Sequence, residues 1–259
     1  MVKKILLTTL IVLLSGGLLG GWFWYVGRLE AKGRAEAQCR NVAVILLDSL
    51  ESSIVDRQEM QRYITSIVKG QRTDTVDLHG IEQAVRARGE ILDAEVYAAD
   101  PHTIAVKIVQ RKPVVRFEKG NEHFYSDPEG YLFPVSHSID VPIVTGAIPF
   151  SPGPGYKGET PAESRSWVLG IVELARYIDS RNTLRSQIEQ IDVAPNGDLV
   201  LYTAEDGPAI IFGDSAGYVE KFRKLEVWWR NIAPEAVAAE KQYKTINLKY
   251  NHQIICKQK

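Results

Sequence analysis

Hydrophobic positions follow three patterns along this chain: one long unbroken run, short alternating stretches, and longer stretches with helical spacing. The unbroken run extends from Ile5 to Val26, carries no charge and ends in an aromatic cluster that includes Trp22 and Trp24. A helix rises about 1.5 Å per residue, so a helix of this length reaches ~33 Å and exceeds a hydrocarbon core of about 30 Å. The pattern therefore predicts a membrane-spanning helix. Ile5, Trp22, Trp24 and Val26 belong to this predicted membrane anchor.

A cleaved signal peptide is the alternative interpretation of this run. Signal peptides have an apolar region of ~7 to 15 residues and then a small-residue cleavage site. The run here is longer, and the nearest such site, Ala35-Glu36-Ala37, lies beyond several charged residues. Basic residues flank the run on both sides, so charge does not decide the orientation, whereas the terminal aromatic cluster fits an interfacial belt. We favour a retained anchor with a cytoplasmic N-terminus and the bulk of the chain outside.

The stretch from residue 39 to residue 112 predicts the order strand, helix, helix, strand, strand. Asp56 and Glu59 form a capping-box start for the first helix, and we expect the second helix to end in a left-handed cap at Gly89. The predicted strands cover residues 42–47, 93–97 and 103–109, and the helices carry apolar stripes at Met60, Ile64, Ile67 and Val68 and at Leu78, Ile81 and Val85. This order predicts a compact α+β unit.

Residues 113–259 predict a mainly antiparallel β domain with flanking helices. Asp127-Pro128-Glu129-Gly130 supplies turn chemistry between aromatic strands, and Asn196-Gly197 is a strong hairpin signal. The predicted strands cover residues 114–117, 123–125, 141–146, 188–193, 199–203, 209–213, 244–250 and 253–256. The fold class is therefore α+β throughout the part that follows the predicted anchor.

Two longer helices are predicted within this β domain. The first begins with Thr160 as cap, Pro161 at the first helical position and Glu163 three residues after the cap. The second has a predicted buried stripe at Val219, Phe222, Leu225, Trp229 and Ile232. Adjacent helical residues point about 100° apart, so we expect Trp229 in the core and leave Trp228 open between an interface anchor and a surface position.

Composition narrows the function classes without choosing among them. The 31 basic and 32 acidic residues leave a formal net charge of −1, which does not suggest a nucleic-acid binder. The two cysteines, Cys39 and Cys256, do not make a disulfide scaffold, although a bridge between them stays open. About 230 residues beyond the anchor correspond to one large or two small domains.

The sequence lacks the motifs that usually carry catalysis. It contains no G-x-S-x-G, no H-E-x-x-H and no phosphate-binding G-x-x-x-x-G-K-[ST], and its five histidines have no paired ligand spacing. We therefore predict no catalytic residues, no metal and no cofactor. Two alternatives remain, an envelope enzyme with an unrecognised site and a membrane-anchored periplasmic protein that binds clients.

Several short motifs occur in the order found in one family of cell-division proteins. They are Gln110-Arg111-Lys112-Pro113-Val114, the Asp127 to Gly130 turn, Val141 to Gly146, Phe212-Gly213 ahead of Lys221 and Leu225, and Ile246 to Tyr250. On these motifs the chain resembles the FtsQ/DivIB family over essentially its whole length, and residues 39–112 resemble a POTRA domain. Two departures are Gln110, where that junction usually has an acidic residue, and Lys249, where the family often has arginine.

The resemblance implies a bitopic scaffold of the divisome that links early and late cell-division proteins and is not an enzyme. The implied partners are FtsB- and FtsL-like bitopic proteins, bound by the β domain, and other divisome proteins, bound by the POTRA domain. The family binds FtsB at the exposed edge of its last strand by strand addition. By position, that edge corresponds to Leu248, Lys249, Tyr250, Asn251 and His252.

The resemblance also implies a domain organisation and a location. Residues 1–27 are the tail and transmembrane helix, 28–38 a spacer, 39–112 the POTRA domain and 113–259 the FtsQ-type β domain. The implied location is the inner membrane at the division septum, with one membrane pass and a periplasmic bulk.

Overall fold

The computed structural model describes residues 16–28, 38–48, 53–204, 207–234, 242–250 and 253–259. The chain divides into two compact units. The first comprises the described residues before 49 together with 55–87 and 93–109, and the second comprises 53–54, 88–92 and the described residues from 110 onward.

Residues 16–28 form the first helix, α1. Trp22 and Trp24 are exposed on it, Val26 is partly exposed, and Ile5 lies outside the described residues. Among the residues that the structure describes, no helix has both the length and the apolar character needed to cross a membrane. The predicted anchor from Ile5 to Val26 therefore stays a prediction.

The next part of the chain has the predicted strand and helix order. Its elements are β1 (Asn41–Leu46), α2 (Arg57–Val68), α3 (Leu78–Arg86), β2 (Ile91–Asp100) and β3 (Thr103–Gln110). They form a three-stranded sheet in the order β1-β3-β2, with β1 parallel to β3. Val42 lies opposite Ile104 and Val44 opposite Val106, and all four are buried because alternate residues of a strand share one face.

Local capping fixes where the two helices of this unit begin. The Asp56 carboxylate accepts hydrogen bonds from the amides of Gln58, at 2.8 Å, and Glu59, at 3.1 Å, which confirms the predicted start of α2. The prediction for Gly89 is wrong, because α3 ends at Arg86 and Ala87 follows it in a right-handed conformation. Gly89 instead permits close packing, since an added Cβ would lie 3.0 Å from Cβ of Phe133.

The second unit contains the remaining strands and helices. Its strands are β4 (Val115–Lys119), β5 (Glu122–Ser126), β6 (Tyr131–Phe133), β7 (Ile143–Gly146), β8 (Gly158–Glu159), β9 (Ile188–Val193), β10 (Leu199–Thr203), β11 (Ala209–Gly213), β12 (Tyr243–Asn247) and β13 (Ile255–Gln258). Its helices are α4 (Ala162–Asp179), α5 (Asn182–Gln187) and α6 (Tyr218–Asn231). The strands form one ten-stranded sheet in the order β13-β12-β11-β10-β9-β7-β4-β5-β6-β8.

Most neighbouring strands of this sheet are antiparallel, and the β4/β7, β7/β9 and β11/β12 pairs are parallel. The helices α4 and α6 pack on the sheet through aromatic contacts. Trp167 of α4 lies 6.0 Å from Phe117 of β4, and Phe222 of α6 lies 4.9 Å from Phe212 of β11, between ring centroids. The predicted α+β class with a large sheet is confirmed.

Two predicted turns are confirmed by their hydrogen bonds. The Asp127 carboxylate accepts from the amides of Glu129, at 3.1 Å, and Tyr131, at 2.8 Å, and Gly130 has a φ of 83°. Gly197, in the turn between β9 and β10, has a φ of 85°. Both glycines adopt the left-handed conformation that side chains disfavour.

Two predictions about the helices are wrong. Thr160 does not cap α4, because its buried hydroxyl donates to the carbonyl of Gly130 and the helix begins at Ala162 with Pro161 before it. In α6 the buried tryptophan is Trp228, with 4% of its surface exposed, while Trp229 is only partly buried. The buried stripe of α6 follows Phe222, Leu225 and Trp228, whereas Val219, in its first turn, and Ile232, just after its last residue, are exposed.

The two cysteines are both free thiols. Cys39 is buried and Cys256 is half-buried. Burial raises the pKa of each thiol, so both favour the protonated form.

Candidate functional site

Within the ten-stranded sheet, the two end strands pair on only one side in the described residues. These ends are β13 and β8. An end strand presents backbone N–H and C=O groups that can pair with another chain. Because β8 has only two residues, β13 offers the longer free edge.

β12 supplies the support on which β13 lies. Ile246 of β12 pairs in register with Ile210 of β11, and the amide of Leu248 donates to the carbonyl of Ile211 at 2.9 Å. Ile246 and Leu248 are fully buried. The buried side chains of β12 and of the residue after it therefore belong to the hydrophobic core of the second unit.

β13 is attached mainly through its backbone. It pairs antiparallel with β12, with Cys256 opposite Ile246 and Ile255 opposite Asn247. Cys256 packs against the hydrophobic core, whereas Lys257 and Gln258 are exposed. Ile255 has 46% of its surface exposed, which leaves an apolar side chain uncovered beside a free strand edge.

Of the five residues predicted for this site, the structure describes Leu248, Lys249 and Tyr250, and none of these three is in β13. Leu248 is in the core, and Lys249 and Tyr250 follow it in the connection between β12 and β13. Asn251 and His252 lie outside the described residues. β13 pairs with β12 and is the end strand of the described sheet, so the binding site at residues 248–252 stays a prediction.

The residues that do form the edge are Ile255, Cys256, Lys257 and Gln258. A signal for them exists in the sequence, since Ile254-Ile255-Cys256 is β-rich and predicts a strand over 253–256. The order of strands in the sheet, however, depends on non-local pairing. Local propensity cannot show which of two terminal strands is outermost.

Two lysines hold the connection between β12 and β13. The ammonium of Lys224, on α6, donates to the carbonyls of Leu248, at 3.2 Å, and Tyr250, at 2.6 Å. The ammonium of Lys249 donates to the carboxylate of Asp198, in the β9–β10 turn, at 2.7 Å. The connection is thus tied to a helix and to a neighbouring turn.

The charges of these groups respond to their surroundings. The Lys249 ammonium holds the pKa of Asp198 below its usual value, and the same hydrogen bond raises the pKa of Lys249. Burial lowers the pKa of Lys224, which lies partly under the connection. The Lys249–Asp198 pair therefore stabilises the charged form of both of its partners.

Gly213 explains how Lys249 reaches Asp198. Gly213 has a φ of 81°, and a Cβ at this position would lie 2.9 Å from Cγ of Lys249. The stem of Lys249 passes over the bare backbone at the end of β11. This close approach gives a physical role to the Phe212-Gly213 motif of the sequence.

The terminal segment is positively charged. Residues 242–259 contain four lysines and no aspartate or glutamate, although the whole chain has a formal net charge of −1. The lysines are Lys244, Lys249, Lys257 and Lys259. Only Lys249 has an ion pair among the described residues. The surface around β13 is suited to a partner that carries acidic side chains.

A separate cavity of about 600 Å³ lies in the second unit. Lys112, Glu173, Arg176, Tyr177 and Tyr218 line part of its wall. Within the described ranges, no three or more His, Cys, Asp or Glu residues cluster as metal ligands.

Comparisons with known proteins agree with the family resemblance that the sequence motifs indicate. The family model described as FtsQ/DivIB, C-terminal related, matches residues 112–257. The chain is also 27% identical over 164 residues to the cell division protein FtsQ of Streptomyces bingchenggensis (strain BCW-1). That match covers 62% of this chain and 58% of the relative, so the aligned region is less than two thirds of the relative's length.

Proposed function

We propose that this chain, which belongs to the FtsQ/DivIB family, acts in cell division as a scaffold that binds other division proteins. Membership of the family implies a role in cell division, and the family is not a known enzyme family. The matched residues, 112–257, include β4 to β12 and most of β13. The scaffold role is thus assigned to the second unit.

The partners in this proposal are FtsB- and FtsL-like bitopic proteins, and the binding site is the outer edge of β13. The observation that carries it is the outer side of β13, which pairs with no other strand in the part of the chain that the structure describes. It lies beside an exposed Ile255 in a terminal segment that has no acidic side chain. A partner strand would supply backbone hydrogen bonds along β13 and place alternate side chains on each face. Tyr250, half-exposed in the nearby connection, would flank the added strand.

We also propose that residues 39–112 form a POTRA domain that contacts other divisome proteins. The β-α-α-β-β order and the β1-β3-β2 sheet support this assignment. Residues 5–26 would anchor the chain in the inner membrane, with the N-terminus cytoplasmic and the bulk periplasmic at the septum. The length and apolar character of that run support the anchor.

An affinity measurement with matched variants tests the binding edge. The full-length chain in detergent is titrated with the FtsB-like protein of the same organism. Ile255→Asp places a charge on the edge and should weaken binding at least tenfold, about 1.4 kcal/mol. Val219→Asp is the control, because Val219 is exposed to a similar extent, 51% against 46%, but lies on α6.

The control should bind as the unmodified chain does. Equal affinities for both variants and the unmodified chain would place the partner elsewhere. Equal losses for both variants would indicate a general effect of added negative charge.

A further inference from the structure

β13 has few side-chain contacts of its own that could fix its position. Of its four residues, Cys256 is half-buried against the core, while Ile255, Lys257 and Gln258 are exposed. Its pairing with β12 is also irregular between Tyr243 and Thr245. The connection that leads into β13 must therefore contribute to its placement.

That connection is held from two independent directions. Lys224 reaches it from α6 and donates to two of its carbonyls, those of Leu248 and Tyr250. Lys249 extends from the connection itself to Asp198, in the turn between β9 and β10. Hydrogen bonds with one charged partner are stronger than neutral ones, so these contacts can restrain an exposed segment.

Asp198 has hydrogen bonds within its own turn in addition to the ion pair with Lys249. The Asn196 amide donates to the same Asp198 oxygen that accepts from Lys249, at 2.9 Å, and the Asp198 backbone amide donates back to the Asn196 side chain at 3.1 Å. The acceptor of the ion pair thus belongs to a rigid turn with Gly197 at its tip. Lys249 is anchored to the ordered hairpin of β9 and β10.

We propose that Lys224 and the Lys249–Asp198 pair are positioning residues that hold β13 in register on β12 before a partner strand arrives. This inference rests on the proposed function of the β13 edge. A binding edge that is already ordered loses less conformational freedom when the partner adds, so the ties increase affinity without touching the partner. Lys224 is half-buried beside the connection, and the Lys249 ammonium donates to Asp198.

Hydrogen exchange on the full-length chain tests the ties without any partner. Lys224→Met keeps the aliphatic stem and removes the donor, and Asp198→Asn removes the charge that Lys249 meets. Each should raise amide exchange in residues 255–258 at least tenfold, while exchange in β9 and β10 stays unchanged. Lys244→Met is the matched control, since Lys244 is exposed on β12, and should leave exchange in β13 as it was.

Partner affinity is then measured on the same variants. A fall of about tenfold for Lys224→Met and Asp198→Asn, with none for Lys244→Met, supports the positioning role. Unchanged exchange in β13 for both variants overturns it. Faster exchange in β13 with unchanged affinity also overturns the role in binding, and would show that the ties exist but that the partner does not use this edge.

Discussion

The two ends of the ten-stranded sheet end in different ways. At one end β8 has only Gly158 and Glu159, and the Tyr156 hydroxyl donates to the carbonyl of Glu159 at 2.7 Å while Arg165 pairs with its carboxylate. At the other end β13 has four residues with mostly exposed side chains. Proteins usually shorten or cover the edges of sheets. The β8 end follows that rule, and the β13 end leaves a longer edge available to a partner.

Of the changes that test the difference between the two ends, removal of residues 255–259 should have the largest effect. The truncated chain should lose partner binding by more than 100-fold, ~2.7 kcal/mol, because the edge and the side chains beside it are gone. Tyr156→Phe is the control at the other end, since it removes only the hydroxyl that donates to the carbonyl of Glu159 in β8.

The measurement is a titration with the FtsB-like protein, with circular dichroism to check that the truncated chain is folded. Tyr156→Phe should bind within twofold of the unmodified chain. If the folded truncated chain binds normally, the open end is not the binding site.

Substitutions at Leu248 and Tyr250 distinguish a residue that stabilises the β13 end of the sheet from a residue that contacts the partner there. Leu248→Ala creates a cavity beneath β12 and should lower the free energy of unfolding by about 2–5 kcal/mol. Tyr250→Ala, at a half-exposed position, should change it by less than ~0.5 kcal/mol but weaken binding by about 1–4 kcal/mol. Chemical denaturation and titration measure the two effects separately. A Tyr250→Ala chain with unchanged affinity would remove Tyr250 from the binding surface.

Features that depend on a few neighbouring residues could be predicted from the sequence. The Asp56 cap and the Asn196-Gly197 and Asp127–Gly130 turns were predictable, because each is built from side chains within four residues of the backbone groups they bind. The predicted strand over 253–256 overlaps β13 for the same reason. Local chemistry thus identifies elements reliably but says little about their neighbours.

Features that depend on distant partners could not be predicted. Thr160 was expected to cap α4, yet its hydroxyl bonds Gly130, thirty residues earlier in the chain. Whether Trp228 or Trp229 is the buried tryptophan depends on how α6 is rotated over the sheet. The ring centroids of Trp228 and Tyr243 lie 5.7 Å apart. The outermost position of β13 likewise depends on its pairing with β12. Sequence reasoning could therefore name the terminal segment as a candidate site but could not order its two strands within the sheet.

The most direct test of the account is hydrogen exchange of the full-length chain with and without the FtsB-like protein. Amides of β13 whose N–H groups face away from β12 have no backbone acceptor in the described sheet and should become protected when a partner strand adds. The account predicts that protection in residues 255–258 and none at residues 158–159. Protection elsewhere in the second unit, with residues 255–258 unchanged, would contradict it.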